Sequence, residues 1–186
     1  MAKLKNSSVL VNYKQIEAEM KRLLLSIVAI MLAGSVHATE QKFSGYSEET
    51  FPETYCMALN IYYEARGSSL ADQIGVSDVV LNRVRDSRYP NTVCEVVKQG
   101  KQDANGKMIR NRCQFSWYCD GKADVPKDED SWIAAQTLAW RIMKFEEFRG
   151  LTEGATHYHA NYVKPNWARD MTFVGTIGVH KFYRWD

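Results

Sequence analysis

The sequence predicts an α+β domain, mainly helical, with a small antiparallel sheet near the C-terminus. Three observations predict it. From residue 53 onward, apolar residues recur at the three- and four-residue spacing of a helix face. After Gly154 the chain changes character, and β-branched and aromatic residues crowd into 156–160 (THYHA) and 172–183 (TFVGTIGVHKFY). Helices first and strands afterwards describe segregated layers rather than alternating βαβ units. The 186 residues suffice for one domain with its own core.

The elements follow in order. Tyr55, Leu59, Tyr62 and Tyr63 fall on one helical face, with Pro52 suited to the first turn and Gly67 to the stop, so 53–65 reads as a helix. Ser69 and Asp72 have the spacing of a capping box and open a second, strongly apolar helix over 74–84, in which Val76, Val80 and Val84 recur every fourth residue. Residues 87–90 close it. Thr92 and Glu95 form another capping box, before a short helix through Val97. Residues 98–112 are polar and contain glycine, which predicts an exposed loop. Gln114 to Tyr118 is an aromatic cluster framed by Cys113 and Cys119. Ser131 is the expected N-cap of a long amphipathic helix carrying Trp132, Ala135, Ala139, Ile142 and Met143 and ending near Phe148. The two β-rich stretches supply two or three short strands.

The N-terminus reads as an export signal rather than as fold. Lys21 and Arg22 precede the apolar run 23–34 (LLLSIVAIMLAG), and Ser35-Val36-His37-Ala38 follows, so residues 1–38 are expected to be a signal peptide cleaved after Ala38. The run is too short for a comfortable membrane span. The long basic region before it suggests a true start at Met20; the rival is an uncleaved anchor. Residues 39–52 read as a flexible lead-in, and 53–186 as the working domain. Removing 1–38 takes away five basic and two acidic residues, so the net charge of +2 becomes −1. No concentrated basic patch points to nucleic acid. Cys56, Cys94, Cys113 and Cys119 all lie in the exported part, which implies one or two disulfides with the pairing left open. The expected location is periplasmic or extracellular, with no membrane partner after cleavage and a monomeric state.

The chemistry centres on Asn60-Ile-Tyr-Tyr-Glu64-Ala-Arg66-Gly67. A carboxyl at the end of an apolar, aromatic run is partly shielded from water, which favours its protonated form. That is the condition for a general acid near neutral pH. The competing reading is a structural ion pair of Glu64 with Arg66 or Arg83.

The blocks NIYYEARG, QIGVSDVVLNRV, YPNTVCEVV, CQFSWYCDG, THYHANYVKPNWA and TIGVHKFY occur in one order over residues 54–184. In this the chain resembles the spore-cortex-lytic cell wall hydrolase family (SleB type), particularly its exported Gram-negative and phage-like members. The resemblance implies a lysozyme-like fold and cleavage of the peptidoglycan glycan strand, with the catalytic glutamate of the EARG block at Glu64. It further implies a lytic transglycosylase acting between N-acetylmuramic acid and N-acetylglucosamine and leaving a 1,6-anhydromuramoyl end, with no cofactor. Ser68 stands where the family often has a second glutamate. The cysteines depart from the spore-type members, so cortex hydrolysis is not the expected role. Remodelling of a bacterium's own wall and lysis by a phage both stay open.

Standard glycoside hydrolysis uses two carboxylates, whereas a transglycosylase manages with one, because the muramic acid 6-hydroxyl is the nucleophile. Asp72, Asp78 and Asp120 are the alternative second carboxylates. Gln114, Phe115 and Ser116 are expected to line the substrate groove, with Asn82, Tyr158 and His159 as further substrate contacts and with Asn82 and Arg83 as supports for Glu64 from the neighbouring helix. Two other classes compete. His157 and His159, two apart on a strand, with His180 on a neighbour, describe a three-histidine zinc site for a peptidoglycan endopeptidase. The aromatic richness alone would equally fit a glycan-binding module without turnover.

Overall fold

Pro52 has no N–H to waste in a first helical turn, and it opens α1 (Pro52–Ala65). The computed structural model describes residues 45–186. The expected signal segment 1–38, the start at Met20 and residues 39–44 lie outside the described residues. α1 is the central helix: Cys56, Met57, Ala58, Asn60 and Ile61 are fully buried. It stops where Gly67 turns left-handed at φ +79°. α2 (Leu70–Arg85) starts as its sequence prescribes, with the Ser69 hydroxyl accepting the Asp72 N–H at 3.2 Å. The Thr92 hydroxyl accepts the Glu95 N–H in the same way at the start of α3 (Val93–Val97). One disulfide, Cys56–Cys94, joins α1 to α3, and the other, Cys113–Cys119, spans the aromatic cluster.

Three elements differ from the sequence reading. Residues 98–112 are not simply a loop: β1 (Gly100–Gln102) and β2 (Met108–Cys113) pair as an antiparallel hairpin. Asp103 Oδ1 accepts the N–H groups of Asn105 and Lys107, both at 2.9 Å, and Gly106 sits at φ +78°. Asn105-Gly106 was the available signal. The ribbon is solvated on both faces, so no apolar alternation announced it. α4 (Glu129–Phe145) is capped by Asp128, not Ser131; Asp128 Oδ1 accepts the Ser131 N–H at 2.7 Å. A carboxylate at that end also meets the positive pole of the helix. The helix ends at Phe145 rather than Phe148, because Glu146 turns left-handed at φ +53°. The described part of the lead-in is anchored: Tyr46 is buried, and its hydroxyl donates to the Gln136 carbonyl at 2.9 Å.

The C-terminal strands form one antiparallel sheet in the order β3 (His157–Ala160), β5 (His180–Arg184), β4 (Thr172–Ile177). His157 pairs with Tyr183, and Ala160 with His180. Side chains alternate across the pleat, so Tyr158, His180 and Phe182 share one face, and His157, His159 and Tyr183 the other. The first face closes on α2 through a small cluster of Val79, Ala155 and Phe182, beside the main core of α1, α2, α3 and α4. Gly75 permits that approach, since a Cβ there would lie 2.7 Å from the Phe182 ring. This is an α+β architecture with a small C-terminal sheet, as expected. No described helix is long and apolar enough to cross a membrane.

The two disulfides close loops of 38 and 6 residues. The chain-entropy relation assigns them about 4 and about 2 kcal/mol. Replacing Cys56 and Cys94 together by alanine is expected to lower the denaturation midpoint clearly more than replacing Cys113 and Cys119. Equal losses in a urea titration would contradict this assignment.

Candidate active site

Glu64 comes from the last turn of α1, where the helix leaves the core and its side chain is half-buried. The Tyr158 hydroxyl, from β3, donates to Glu64 Oε2 at 3.0 Å. Burial holds the Glu64 proton above the ordinary carboxyl range. The Tyr158 hydrogen bond, then the electrostatic influence of His180 and Arg83, oppose that rise without cancelling it. Burial and the neighbouring carboxylate push the Tyr158 hydroxyl well above its own ordinary value, so it remains a donor.

The ion-pair reading of Glu64 does not match the geometry. Arg66 turns back over its own helix, with Nη1 donating to the Tyr62 carbonyl at 3.2 Å and its guanidinium 4.7 Å from the Tyr62 ring. Arg83 is buried. Its Nε donates to the Thr156 carbonyl at 2.7 Å, and its guanidinium lies 5.3 Å from the rings of both Tyr89 and Phe115. Arg83 is thus a nearby charge rather than a salt-bridge partner, and its Nη1 has no hydrogen-bond partner among the described residues.

Polar residues of α2 place Tyr158. Asp72 is fully buried; its Oδ1 lies 2.8 Å from His180 Nδ1, and its Oδ2 accepts the Val179 N–H at 3.2 Å. The His180 ring packs edge-on against Tyr158 at 5.1 Å. Asp78 accepts the N–H groups of Gly150 and Thr152 and the Thr152 hydroxyl, while the Asn82 amide donates to Thr152 Oγ1 and the Ala155 carbonyl. Asn82 therefore fastens the loop before β3, and its amide hydrogen bonds go there rather than to Glu64. Asp72 and Asp78 are occupied by the fold, and Asp120 bonds to the N–H and ammonium of Lys122.

The other candidate residues scatter. Phe115 is 2 % exposed and lies in the core, so it offers no free face to a sugar; Gln114 and Ser116 beside it are exposed. His159 stacks on Tyr183 at 5.2 Å, with its Nε2 3.1 Å from the Tyr183 hydroxyl. The three-histidine zinc set is not assembled. His180 faces α2, while His157 and His159 face the opposite side of the sheet. No cluster of three or more His, Cys, Asp or Glu residues with metal-site geometry occurs among the described residues. The His157 imidazole is pushed down to about 4 by burial and by the charges of Arg83 and Arg88, so it is neutral at physiological pH. The end of α1 that carries Glu64 also lines a groove of about 390 Å³ through Tyr62, Tyr63 and Arg66, with Trp117 and Asp124 opposite. Glu64 itself is not among the residues lining the described grooves.

A family model described as cell wall hydrolase matches residues 67–183, beginning just after Glu64. Among solved structures, the chain is similar to the catalytic domain of the germination-specific lytic transglycosylase SleB from Bacillus anthracis. Identity is 25%, with a TM-score of 0.54 over 76% of this chain and 98% of that one. It is similar also to the catalytic domain of the Bacillus cereus SleB protein, at 25% identity and a TM-score of 0.50 over 76% and 94%. No curated protein matches in sequence.

Since the folded chain holds the Glu64 proton above the ordinary value of 4.5, it binds more protons there than the unfolded chain does. That contribution to stability is complete below the ordinary value and is lost as pH rises through the folded one. The melting temperature of Glu64→Gln relative to the parent is therefore expected to climb as pH rises above the ordinary carboxyl value of 4.5. Parallel pH profiles for the two proteins would show that Glu64 is not shifted.

Proposed function

Because the chain belongs to the cell wall hydrolase family, a family of glycosidic-bond-cleaving enzymes, we propose that its substrate is the glycan strand of peptidoglycan outside the cytoplasm. In this reading it is a lytic transglycosylase with Glu64 as its general acid and base. The observation that carries it is a carboxyl group that is half-buried, holds its proton more tightly than an ordinary glutamate, and is bonded by a neutral hydroxyl rather than by a cation.

The Tyr158 bond occupies Oε2 and leaves Oε1 to carry the proton. Glu64 protonates the oxygen linking N-acetylmuramic acid to N-acetylglucosamine, and the C1–O bond breaks. The muramic acid 6-hydroxyl then attacks C1, while ionised Glu64 takes its proton. The product is a 1,6-anhydro ring, and no water enters. The engagement of Asp72 and Asp78 by the fold supports this one-carboxylate route over a two-carboxylate hydrolysis. The groove beside Tyr62, Tyr63 and Arg66 offers a sugar aromatic surface from the half-buried Tyr63. Two disulfides support a periplasmic or extracellular location. The reaction needs one side chain and the substrate's own hydroxyl, so we assign no cofactor.

Glu64→Gln is expected to lower clearing of purified peptidoglycan by at least about 100-fold with an unchanged circular dichroism spectrum. Clearing at the parental rate would end the assignment. Mass spectrometry of the parental digest is expected to show anhydromuramoyl ends, and a chelator to leave the rate unaltered. Reducing ends would instead make it a lysozyme-type hydrolase, and cut stem peptides an endopeptidase.

A further inference from the structure

The loop joining α4 to β3 holds three residues other than glycine in the left-handed region, Glu146 at φ +53°, Phe148 at φ +63° and Glu153 at φ +48°. A bulky side chain rarely adopts that conformation, and strain of this kind gathers where a fold presents a surface for use. Here it presents apolar side chains to water. Phe148 is 38 % exposed and Leu151 44 %, and Leu70, from the start of α2, is 54 % exposed. The Arg141 guanidinium, 4.9 Å from the Phe148 ring, steadies that ring in place.

With Ala71 and Ile74 of α2, these three residues line an apolar groove of about 560 Å³, a size that suits one small ligand. Two features describe the occupant. The first is a charge. Arg149 also lines the groove, with 18 % of its side chain exposed. Its Nε and Nη2 are sealed in without a hydrogen-bond partner among the described residues, and Nη1 is not one of the sealed atoms. Arg85 adds positive charge nearby, while Asp78 and Glu146 act on Arg149 with the opposite sign. Asp78, however, spends its oxygens on Gly150 and Thr152 and stands 4.0 Å from Nε. The guanidinium is thus incompletely matched, and an anion at Nη1 complements it.

The second feature is the state of the groove's backbone. The Gly150 N–H donates to Asp78, and the Gly150 carbonyl accepts the Glu153 N–H at 3.1 Å. A peptide laid along this edge would meet groups already bonded and leave its own amides unpaired, at a cost. A hydrocarbon chain asks for no such partners and gains by leaving water.

We propose that the Leu70–Leu151 groove binds a fatty carboxylate, with its chain against Ile74, Phe148 and Leu151 and its carboxylate on Arg149. The proposal is independent of the reaction assigned to Glu64, since the ligand and the binding assay involve no peptidoglycan.

The test is calorimetric titration of the full chain with dodecanoate, kept below its micelle concentration. Phe148→Asn keeps a residue that tolerates the left-handed turn but removes the ring, and Leu151→Ser trims an exposed side chain. Each is expected to bind dodecanoate about tenfold more weakly than the parent. Arg149→Gln is expected to lose about tenfold for dodecanoate and nothing for dodecanol. The parent should bind dodecyltrimethylammonium at least about tenfold more weakly than dodecanoate, because the cation meets Arg149. Failure of the parent to bind dodecanoate, equal affinity in the parent and both loop variants, or equal affinity for the anionic and cationic amphiphiles would overturn the proposal. Tighter binding of the peptide acetyl-Leu-Leu-Phe than of dodecanoate would overturn it in favour of a peptide site. Binding to phosphatidylglycerol vesicles without binding to dodecanoate would do so in favour of a membrane surface.

Discussion

One hydrogen bond, from the Tyr158 hydroxyl to Glu64, joins the end of the central helix to the C-terminal sheet. Its partners are 94 residues apart in sequence, and neither makes a site without the other. Tyr158 without Glu64 is a half-buried aromatic. Glu64 without Tyr158 is a carboxyl at a helix end, free to swing. The bond sets which carboxyl oxygen is held and which is left to carry the proton. It also keeps the acid within range of Arg83 and His180 without pairing it to either. A direct ion pair would lower the proton affinity that general-acid chemistry requires.

That bond depends on α2, which buries two different surfaces. Ile74, Val80 and Leu81 enter the main core. The other side is small and polar, and it grips the C-terminal third of the chain at successive turns. Asp72 holds the β4–β5 turn and His180, and Gly75 admits Phe182. Asp78 and Asn82 fasten the loop at Thr152, and Arg83 takes the Thr156 carbonyl. Each contact joins residues about 70 to 108 positions apart. The close fit at Gly178, where a Cβ would meet Asp72 at 2.7 Å, shows how little slack the sheet has. The helix that resembles an ordinary apolar core element is also the frame that aims Tyr158.

The parts of this arrangement legible in the sequence were those coded locally. Capping at Ser69 and Thr92, the stop at Gly67 and the four-residue valine spacing of α2 each depend on neighbours within a few positions. The β-rich character of the last thirty or so residues was equally visible. The hairpin at 100–113 was not, because a ribbon wet on both faces lacks the alternation that marks a strand. Asp128, the cap in the fold, lies three residues ahead of Ser131, whose residue type is equally suited to a cap. Glu64 stood out because an acid next to an aromatic run is unusual, but its partner was beyond reach. Nothing near Tyr158 says that its hydroxyl meets a glutamate rather than a sugar. Asn82 and Asp72 likewise carried the right chemistry with destinations that only the fold specifies. Two alternating histidines on β3 were correctly seen to share a face, yet the register with β5 puts His180 on the other one.

Activity therefore turns on the protonation of one side chain. Carbon-detected NMR of the Glu64 carboxyl, followed across pH in the intact protein and in Tyr158→Phe, measures it directly. The expected midpoint lies above the ordinary carboxyl value of 4.5, coincides with the alkaline limb of the activity profile and moves further upward when the Tyr158 hydroxyl is removed. A midpoint at or below the ordinary value, indifferent to Tyr158, would contradict this expectation.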